Sequence, residues 1–277
     1  MATEAMQRAI LDACFGRHAD GSLDALPREL LVRSGVAREE IEGVVKPRFW
    51  LYRRLIRGNV VDVMHNLLER TCKRMNAHAP GEVDAAFDTF LATVAPHTRH
   101  LRDVPSEFLT WLVPQWQSGQ RFAASGAQHP VPAYMIDFAR YENEEFKTGT
   151  RVATPPAEAE LGDVHPARGL VLHGSAALMT TAYPVHDLAA DSDNEPVAPA
   201  AQETRYIFYR DQAHRLHVLC VTPFVYAFAK RVLVGESLAV AVQGSVNDVS
   251  LATDATAELA KILADWAERG LLLGARA

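Results

Sequence analysis

The spacing of the apolar residues changes near residue 150, and this change restricts the chain to a fold of two parts. Up to that point apolar residues recur at steps of three and four, which is typical of helices, and no run reads as a strand. Segment 151–168 holds three prolines and predicts a linker. We therefore predict an α+β protein, with an all-α domain over 1–150 and a small α+β domain over 169–277.

The second domain contains several runs with the composition of β-strands. Two of them, 204–209 and 215–221, flank the polar turn RDQAH, and this spacing predicts a β-hairpin. Shorter strands are expected over 169–173 and 177–183. Two further segments, each followed by glycine, have helical patterns and are expected to be helices: 223–234 and 254–269.

The most basic segment of the first domain is 46–75, KPRFWLYRRLIRGNVVDVMHNLLERTCKRM. It has eight lysine and arginine residues against two acidic residues, whereas the whole chain has a formal net charge of −6. Its apolar residues follow helical spacing, so we expect one long helix, or two helices joined at Gly58 and Asn59. By composition alone the arginines could face solvent, another protein or the phosphates of nucleic acid.

The cysteines and the apolar runs indicate the cellular compartment of the chain. Cys14, Cys72 and Cys220 are scattered and form no CxxC pair, which favours a reducing compartment. No apolar run approaches the ~20 residues of a membrane-spanning helix, and the N-terminus lacks the pattern of a signal peptide. We expect a cytoplasmic protein with no membrane partner.

We find no residue pattern that predicts a catalytic or metal site. Phosphate loops, dinucleotide fingerprints and nucleophile elbows are absent from the sequence. His97 and His100 have helical spacing, but two histidines do not complete a metal site. Cys72 lies beside cationic residues, yet no histidine or asparagine is placed to serve it. The chain is therefore expected to act without catalytic residues of its own.

The predicted hairpin offers a different kind of site. A small sheet with a free edge can accept an extended peptide as an additional strand, held by main-chain hydrogen bonds. We expect the first strand to contribute Tyr206, Phe208 and Arg210 to this peptide-binding edge, and the second strand to contribute His217 and Leu219. An ordinary core sheet would fit the same residues.

Three stretches of the chain resemble a family of partner proteins of multinuclear non-heme iron-dependent oxidases. This family, of HvfC, BufC and MbnC type, was formerly labelled as DNA-binding. The first two stretches are a helix with a tyrosine and arginines ahead of spaced apolar residues, and a proline-led helix with an Ala-Arg-Tyr-Glu element. The third has strands reaching Tyr-Pro-Val, then a hairpin and a helix that ends in glycine. The stretches lie at 51–71, at 131–146, and at 168–188 with 203–238.

The resemblance implies a non-catalytic subunit without a cofactor of its own. In this family the companion oxidase is a TIM-barrel protein that holds the iron and modifies a ribosomally made precursor peptide, often at cysteine. The partner's C-terminal domain resembles a winged-helix peptide-recognition element that presents the leader of the peptide. The residues expected to contact the oxidase in a heterodimer are Arg53, Arg54, Arg57, Tyr134 and Arg140.

A DNA-binding transcriptional regulator that uses the basic helix 46–75 is the alternative. Such a protein would bind duplex DNA with an affinity that falls steeply as salt rises. The negative net charge of the chain and its pI near 6.0 argue weakly against this alternative.

Overall fold

The computed structural model describes residues 15, 46–98, 100–123, 130–154, 156, 161–188, 198–249 and 255–277. The chain divides into two compact units. The first lies within the residues up to Ala139, and the second comprises Arg140–Leu188 and Ala198–Ala277. The sequence also predicts short helices over 28–32 and 37–44, which lie outside the described residues, as does most of a helix predicted over 2–15.

The described part of the first unit is helical. It contains α1 (Lys46–Leu67), α2 (Glu69–His78), α3 (Glu82–Thr93), α4 (Val104–Gln117) and the beginning of α5 (Ala133–Thr150). No strand occurs in this part of the structure. The predicted helical region before residue 150 is thus confirmed where the structure describes it.

The basic segment forms two helices, and the break between them lies at Leu68. This residue leaves the helical region with φ −122° and ψ 36°. Gly58 and Asn59, where the sequence predicts the junction, lie inside α1, and a Cβ atom at Gly58 would meet no atom within 4 Å. Leu68 is almost fully buried. The position of the break therefore depends on tertiary packing and not on the glycine.

Aromatic side chains of α3 and α4 form the centre of the first unit. The ring of Phe108 meets that of Phe87 edge-on at 4.9 Å, and Phe90 lies 5.6 Å from Trp111. Val83, Phe87 and Phe90 lie on one face of α3 by helical spacing, and all three are buried.

A buried carboxylate closes the first unit at the loop after α4. The oxygens of Glu82 accept hydrogen bonds from the indole N–H of Trp116 at 3.1 Å and from the backbone N–H of Ala123 at 3.0 Å. The backbone N–H of Phe122 and the guanidinium of Arg121 point at the same group. A carboxylate can be buried only with this degree of pairing.

The second unit combines two antiparallel sheets of three strands with three further helices. The strands are β1 (Leu161–Gly162), β2 (Leu170–Leu172), β3 (Ala177–Thr181), β4 (Thr204–Arg210), β5 (Leu216–Val221) and β6 (Leu272–Arg276). The sheet orders are β1-β6-β2 and β3-β4-β5. The helices are α6 (Pro223–Leu233), α7 (Leu238–Val249) and α8 (Ala255–Glu268).

The predicted hairpin is confirmed as the pair β4–β5, and the strands predicted before it are confirmed as β2 and β3. Neither β1, which lies in the predicted linker, nor β6 is predicted by the sequence pattern. With helices before residue 150 and antiparallel sheets after it, the predicted α+β class is confirmed. No described helix is both long and apolar enough to cross a membrane.

The sheet β3-β4-β5 is covered on both faces within the second unit. On one face Ile207 and Tyr209 join a core that includes Phe228 of α6 and Trp266 of α8. On the other face the ring of Tyr141, from the later part of α5, lies 5.2 Å from Tyr206. The same ring lies 5.3 Å from Phe208.

Candidate functional site

The predicted peptide-binding edge does not lie on β4, because β4 is the central strand of its sheet. It pairs with β3 on one side and with β5 on the other, so its main-chain groups are occupied. The side chains of Tyr206 and Phe208 are 0% exposed. Placing these two residues on a free strand edge is therefore wrong, since alternation predicts two faces and not which strand lies outermost.

Arg210 is also occupied within the molecule. Its guanidinium donates to the backbone carbonyls of Gly149, at 3.3 Å, and Arg151, which lie at the end of α5. The last carbonyls of a helix lack partners in the helix itself, and a cationic side chain satisfies them. Arg210 thus holds the end of α5, and its assignment to peptide binding is wrong.

The sheet has two edge strands, β3 and β5, and β5 is the one that contains His217 and Leu219. Among the described strands β5 pairs only with β4. Leu216 and Cys220 are exposed, and the residues between them are half-buried. Two of the five residues predicted for the edge, His217 and Leu219, therefore lie on an edge strand.

The register of the hairpin identifies the main-chain groups that point outward. The N–H of Asp211 donates to the carbonyl of Arg215 at 3.0 Å, and Tyr209 lies opposite His217. Hydrogen-bonded pairs alternate with non-bonded pairs in an antiparallel ladder. The groups of β5 that face away from β4 are therefore those of Leu216, Val218 and Cys220.

The edge of β5 lacks the features that keep exposed strands from pairing. The segment LHVLCV has no proline, lysine, arginine, aspartate or glutamate. Natural edge strands are protected by charges, prolines or bulges, because an open row of N–H and C=O groups binds other strands. The other edge strand, β3, has no proline or charged residue either, so it is the predicted residues His217 and Leu219 that favour β5 as the strand that receives a partner.

Asp211 orders the turn at one end of this edge. Its carboxylate accepts hydrogen bonds from the guanidinium of Arg215 at 2.8 Å and from Nε2 of His217 at 2.9 Å. These bonds, led by that of His217, hold the pKa of Asp211 well below its usual value. The ring of His217 also stacks on Tyr209 at 5.1 Å. The turn is therefore pre-organised by charge.

A histidine and a cysteine meet on the opposite face of β5. Nε2 of His186 lies 3.6 Å from Sγ of Cys220, and Nδ1 lies 3.1 Å from the hydroxyl of Tyr206. Burial raises the pKa of the Cys220 thiol, and the nearby charge of Asp187 adds to this effect. The thiol therefore stays protonated at neutral pH, which does not suit a nucleophile.

The residues predicted for the oxidase-binding surface do not share one environment. Tyr134 is 3% exposed, so it presents no surface to a partner, and Arg57 forms an ion pair with Asp88. The assignment of Tyr134 is wrong because its side chain is buried in the helical unit, and that of Arg57 stays a prediction. Arg54 and Arg140 are exposed. The side chain of Arg53 lies outside the described part of the structure.

No group of three or more histidine, cysteine, aspartate and glutamate side chains in the described residues is arranged to hold a metal ion. No protein-family model matches this chain, and no curated protein matches its sequence. The resemblance to the oxidase partner proteins therefore stays a prediction from the three sequence stretches.

Proposed function

We propose that this chain is a non-catalytic partner protein that binds an extended precursor peptide on β5 and presents it to a multinuclear non-heme iron oxidase. The observation that carries the proposal is the unprotected edge of β5, with three residues whose main-chain groups face outward. In this proposal the second unit is the winged-helix type of recognition element that the resemblance implies. The oxidase supplies the iron, and this chain acts without a cofactor.

The side chains of β5 would add specificity to main-chain binding. Leu219 and Val221 lie at the half-buried rim of the core, together with Ile262 and Leu263 of α8. A strand added beside β5 would place alternate side chains over this apolar rim. Arg54 and Arg140, which are exposed, remain the candidates from the sequence for contacts with the oxidase.

The test uses proline to remove one outward N–H from β5. Val218→Pro deletes a main-chain donor on the free edge without taking a bond from the β4–β5 ladder, since the N–H of Val218 faces away from β4. Thr180→Pro is the matched control, because its N–H faces away from β4 on the opposite edge of the same sheet. Proline is tolerated at such positions of edge strands.

Each variant is co-expressed with the oxidase and with the short reading frame expected beside its gene, and the complexes are purified. We expect Val218→Pro to weaken peptide binding at least about fivefold, because one main-chain hydrogen bond is worth roughly 1 kcal/mol. Oxidase binding should persist, and Thr180→Pro should behave as the wild type. Equal peptide binding by both proline variants, or separation of the two proteins during sizing, would reject the proposal.

Duplex DNA binding by the basic helices has less support. Lys73 pairs with Glu69 at 2.7 Å, and Arg57 pairs with Asp88, so phosphates would have to displace these partners. A salt-sensitive gel shift at low ionic strength would favour this alternative over the peptide-binding function.

A further inference from the structure

A cavity of about 650 Å³ lies at the hairpin end of β5. Its walls come from the turn between β4 and β5 and from the last turn of α8. The charged residues that line it are Asp211, Arg215, Asp265, Glu268 and Arg269. His217, whose main chain pairs with β4, also lines it, so the cavity adjoins the edge to which we assign the peptide.

The carboxylate of Asp211 is not available to a ligand. It accepts bonds from the backbone N–H and the Nε of Arg215, at 2.9 and 2.8 Å. It also accepts from Nε2 of His217 at 2.9 Å, and a terminal nitrogen of the same guanidinium forms an ion pair with it at 2.8 Å. One of these contacts is made to Oδ1 and the other three to Oδ2, so Oδ2 is fully occupied and most of the acceptor capacity of the carboxylate is used.

Arg269, in contrast, has N–H groups that remain available to a ligand, namely those of its two terminal nitrogens. Its Nε donates to Asp265 at 2.7 Å, and this ion pair raises the pKa of the guanidinium above its usual value. In the described structure neither terminal nitrogen of Arg269 has a hydrogen-bond partner. Such a guanidinium presents two parallel N–H groups, the arrangement that suits a planar carboxylate.

The hydroxyl of Tyr209 is a second unused polar group beside the cavity. Tyr209 is 0% exposed, and its hydroxyl has no hydrogen-bond partner among the described residues. The ring of Tyr209 stacks at 5.1 Å on that of His217, which lines the cavity. A buried hydroxyl without a partner is costly, so a ligand atom that bonds to it would be stabilised.

We propose that this cavity receives the carboxylate of an aspartate or glutamate side chain of the peptide bound along β5. Arg269 would donate to both carboxylate oxygens, and Tyr209 would donate from the buried side. The residue concerned lies beside His217 on the face of the sheet that carries α6 and α8. This inference rests on the proposed function, because the peptide reaches the cavity only when it pairs with β5.

The cavity is lined by three carboxylates and two guanidinium groups, so an anionic guest depends on how these charges are paired. Asp211 is neutralised by Arg215 and His217, and Asp265 is paired with Arg269. Glu268 alone opposes the anion, and it is exposed, so solvent screens its charge. Glu268→Gln should therefore strengthen the binding of an acidic peptide, whereas the same change would weaken the binding of a basic one.

The experiment selects random short peptides by phage display on the full chain and measures the affinity of the selected peptides. We expect aspartate or glutamate to be fixed at one position. Changing that residue to its amide should weaken binding roughly two- to fivefold, because Arg269 is exposed and an exposed ion pair is worth about 1 kcal/mol or less. When the protein carries Arg269→Gln, replacing the acidic residue of the peptide by its amide should change the binding affinity little. Arg102→Gln, at an arginine that also lies beside an aspartate, is the matched control.

The outcomes separate the two proposals. Peptides that need an intact Val218 but show no acidic position, or no coupling to Arg269, overturn the carboxylate site and leave strand addition standing. Peptides that bind equally well to Val218→Pro overturn strand addition, and with it the inference. A titration with N-acetylglutamate methylamide, followed by NMR of the Arg269 side chain, tests for free acids. Binding of this probe without any strand-bound peptide would overturn the peptide as the source of the carboxylate.

Discussion

At the scale of single residues, two aspartates at the cavity differ in their burial and in the number of hydrogen bonds that they accept. Asp211 is nearly buried and receives donors from Arg215 and His217, so its negative charge is fully used inside the protein. Asp265 is half-exposed and holds only the Nε of Arg269. The first carboxylate stabilises the turn, while the second orients a guanidinium whose other donors stay free.

Asp211 should make the folded protein less stable at low pH. Its folded pKa lies below the ordinary 3.8, so its contribution is present above that value and is lost as the pH falls through the folded pKa. We expect Asp211→Asn to lower the melting temperature at neutral pH, and the difference from wild type to narrow below pH 3.8. Thermal unfolding of both proteins from neutral pH to below pH 3.8 measures this difference. The control is Asp163→Asn, which changes an exposed aspartate. A gap that stays equally wide in acid would contradict the assignment.

At the scale of elements, side chains rather than local propensity hold several segments in place. Arg210 joins β4 to the end of α5, and the hydroxyl of Ser175 accepts a hydrogen bond from the backbone N–H of the same arginine at 2.8 Å. In the first unit Glu82 joins the first turn of α3 to the loop after α4. Elements are thus fixed by polar groups that come from distant parts of the sequence.

Glu82 gives the clearest test of this kind of anchoring. In Glu82→Ala the indole N–H of Trp116 and the backbone N–H of Ala123 lose this acceptor, and the guanidinium of Arg121 loses the ion pair with this carboxylate. Removing one member of a buried charged network costs about 3–5 kcal/mol. We expect a loss of this size in urea unfolding, followed by tryptophan fluorescence. The control is Asp84→Ala, which changes an exposed acid of the same helix and should cost far less.

At the scale of the whole molecule, each compact unit has a core of its own. The aromatic cluster of α3 and α4 belongs to the first unit, whereas the second unit has a separate core around Phe228 and Trp266. The division falls inside α5, between Ala139 and Arg140, and not at the predicted linker 151–168. Residues at the end of α5 therefore serve the β-containing unit.

This division predicts which fragment can fold alone. Residues 140–277 keep Tyr141 over Tyr206 and Phe208, together with the carbonyls that Arg210 binds, so this fragment should unfold cooperatively and give dispersed NMR spectra. The fragment 151–277 lacks these contacts and should be less stable by about 3 kcal/mol or more, the cost of removing a large buried aromatic side chain. Equal stability of the two fragments in urea would show that α5 is not part of the second core.

The sequence by itself determined the class of the fold, the buried face of α3 and the strands of the hairpin. These features depend on the spacing of apolar residues over one or two turns or strands, which is local information. Tertiary structure alone decided that β4 is central and β5 is the edge, because alternation is the same for both positions. It also decided that β6, about a hundred residues from β2, completes the second sheet. The cavity likewise depends on long-range packing, since it joins the turn after β4 to the end of α8.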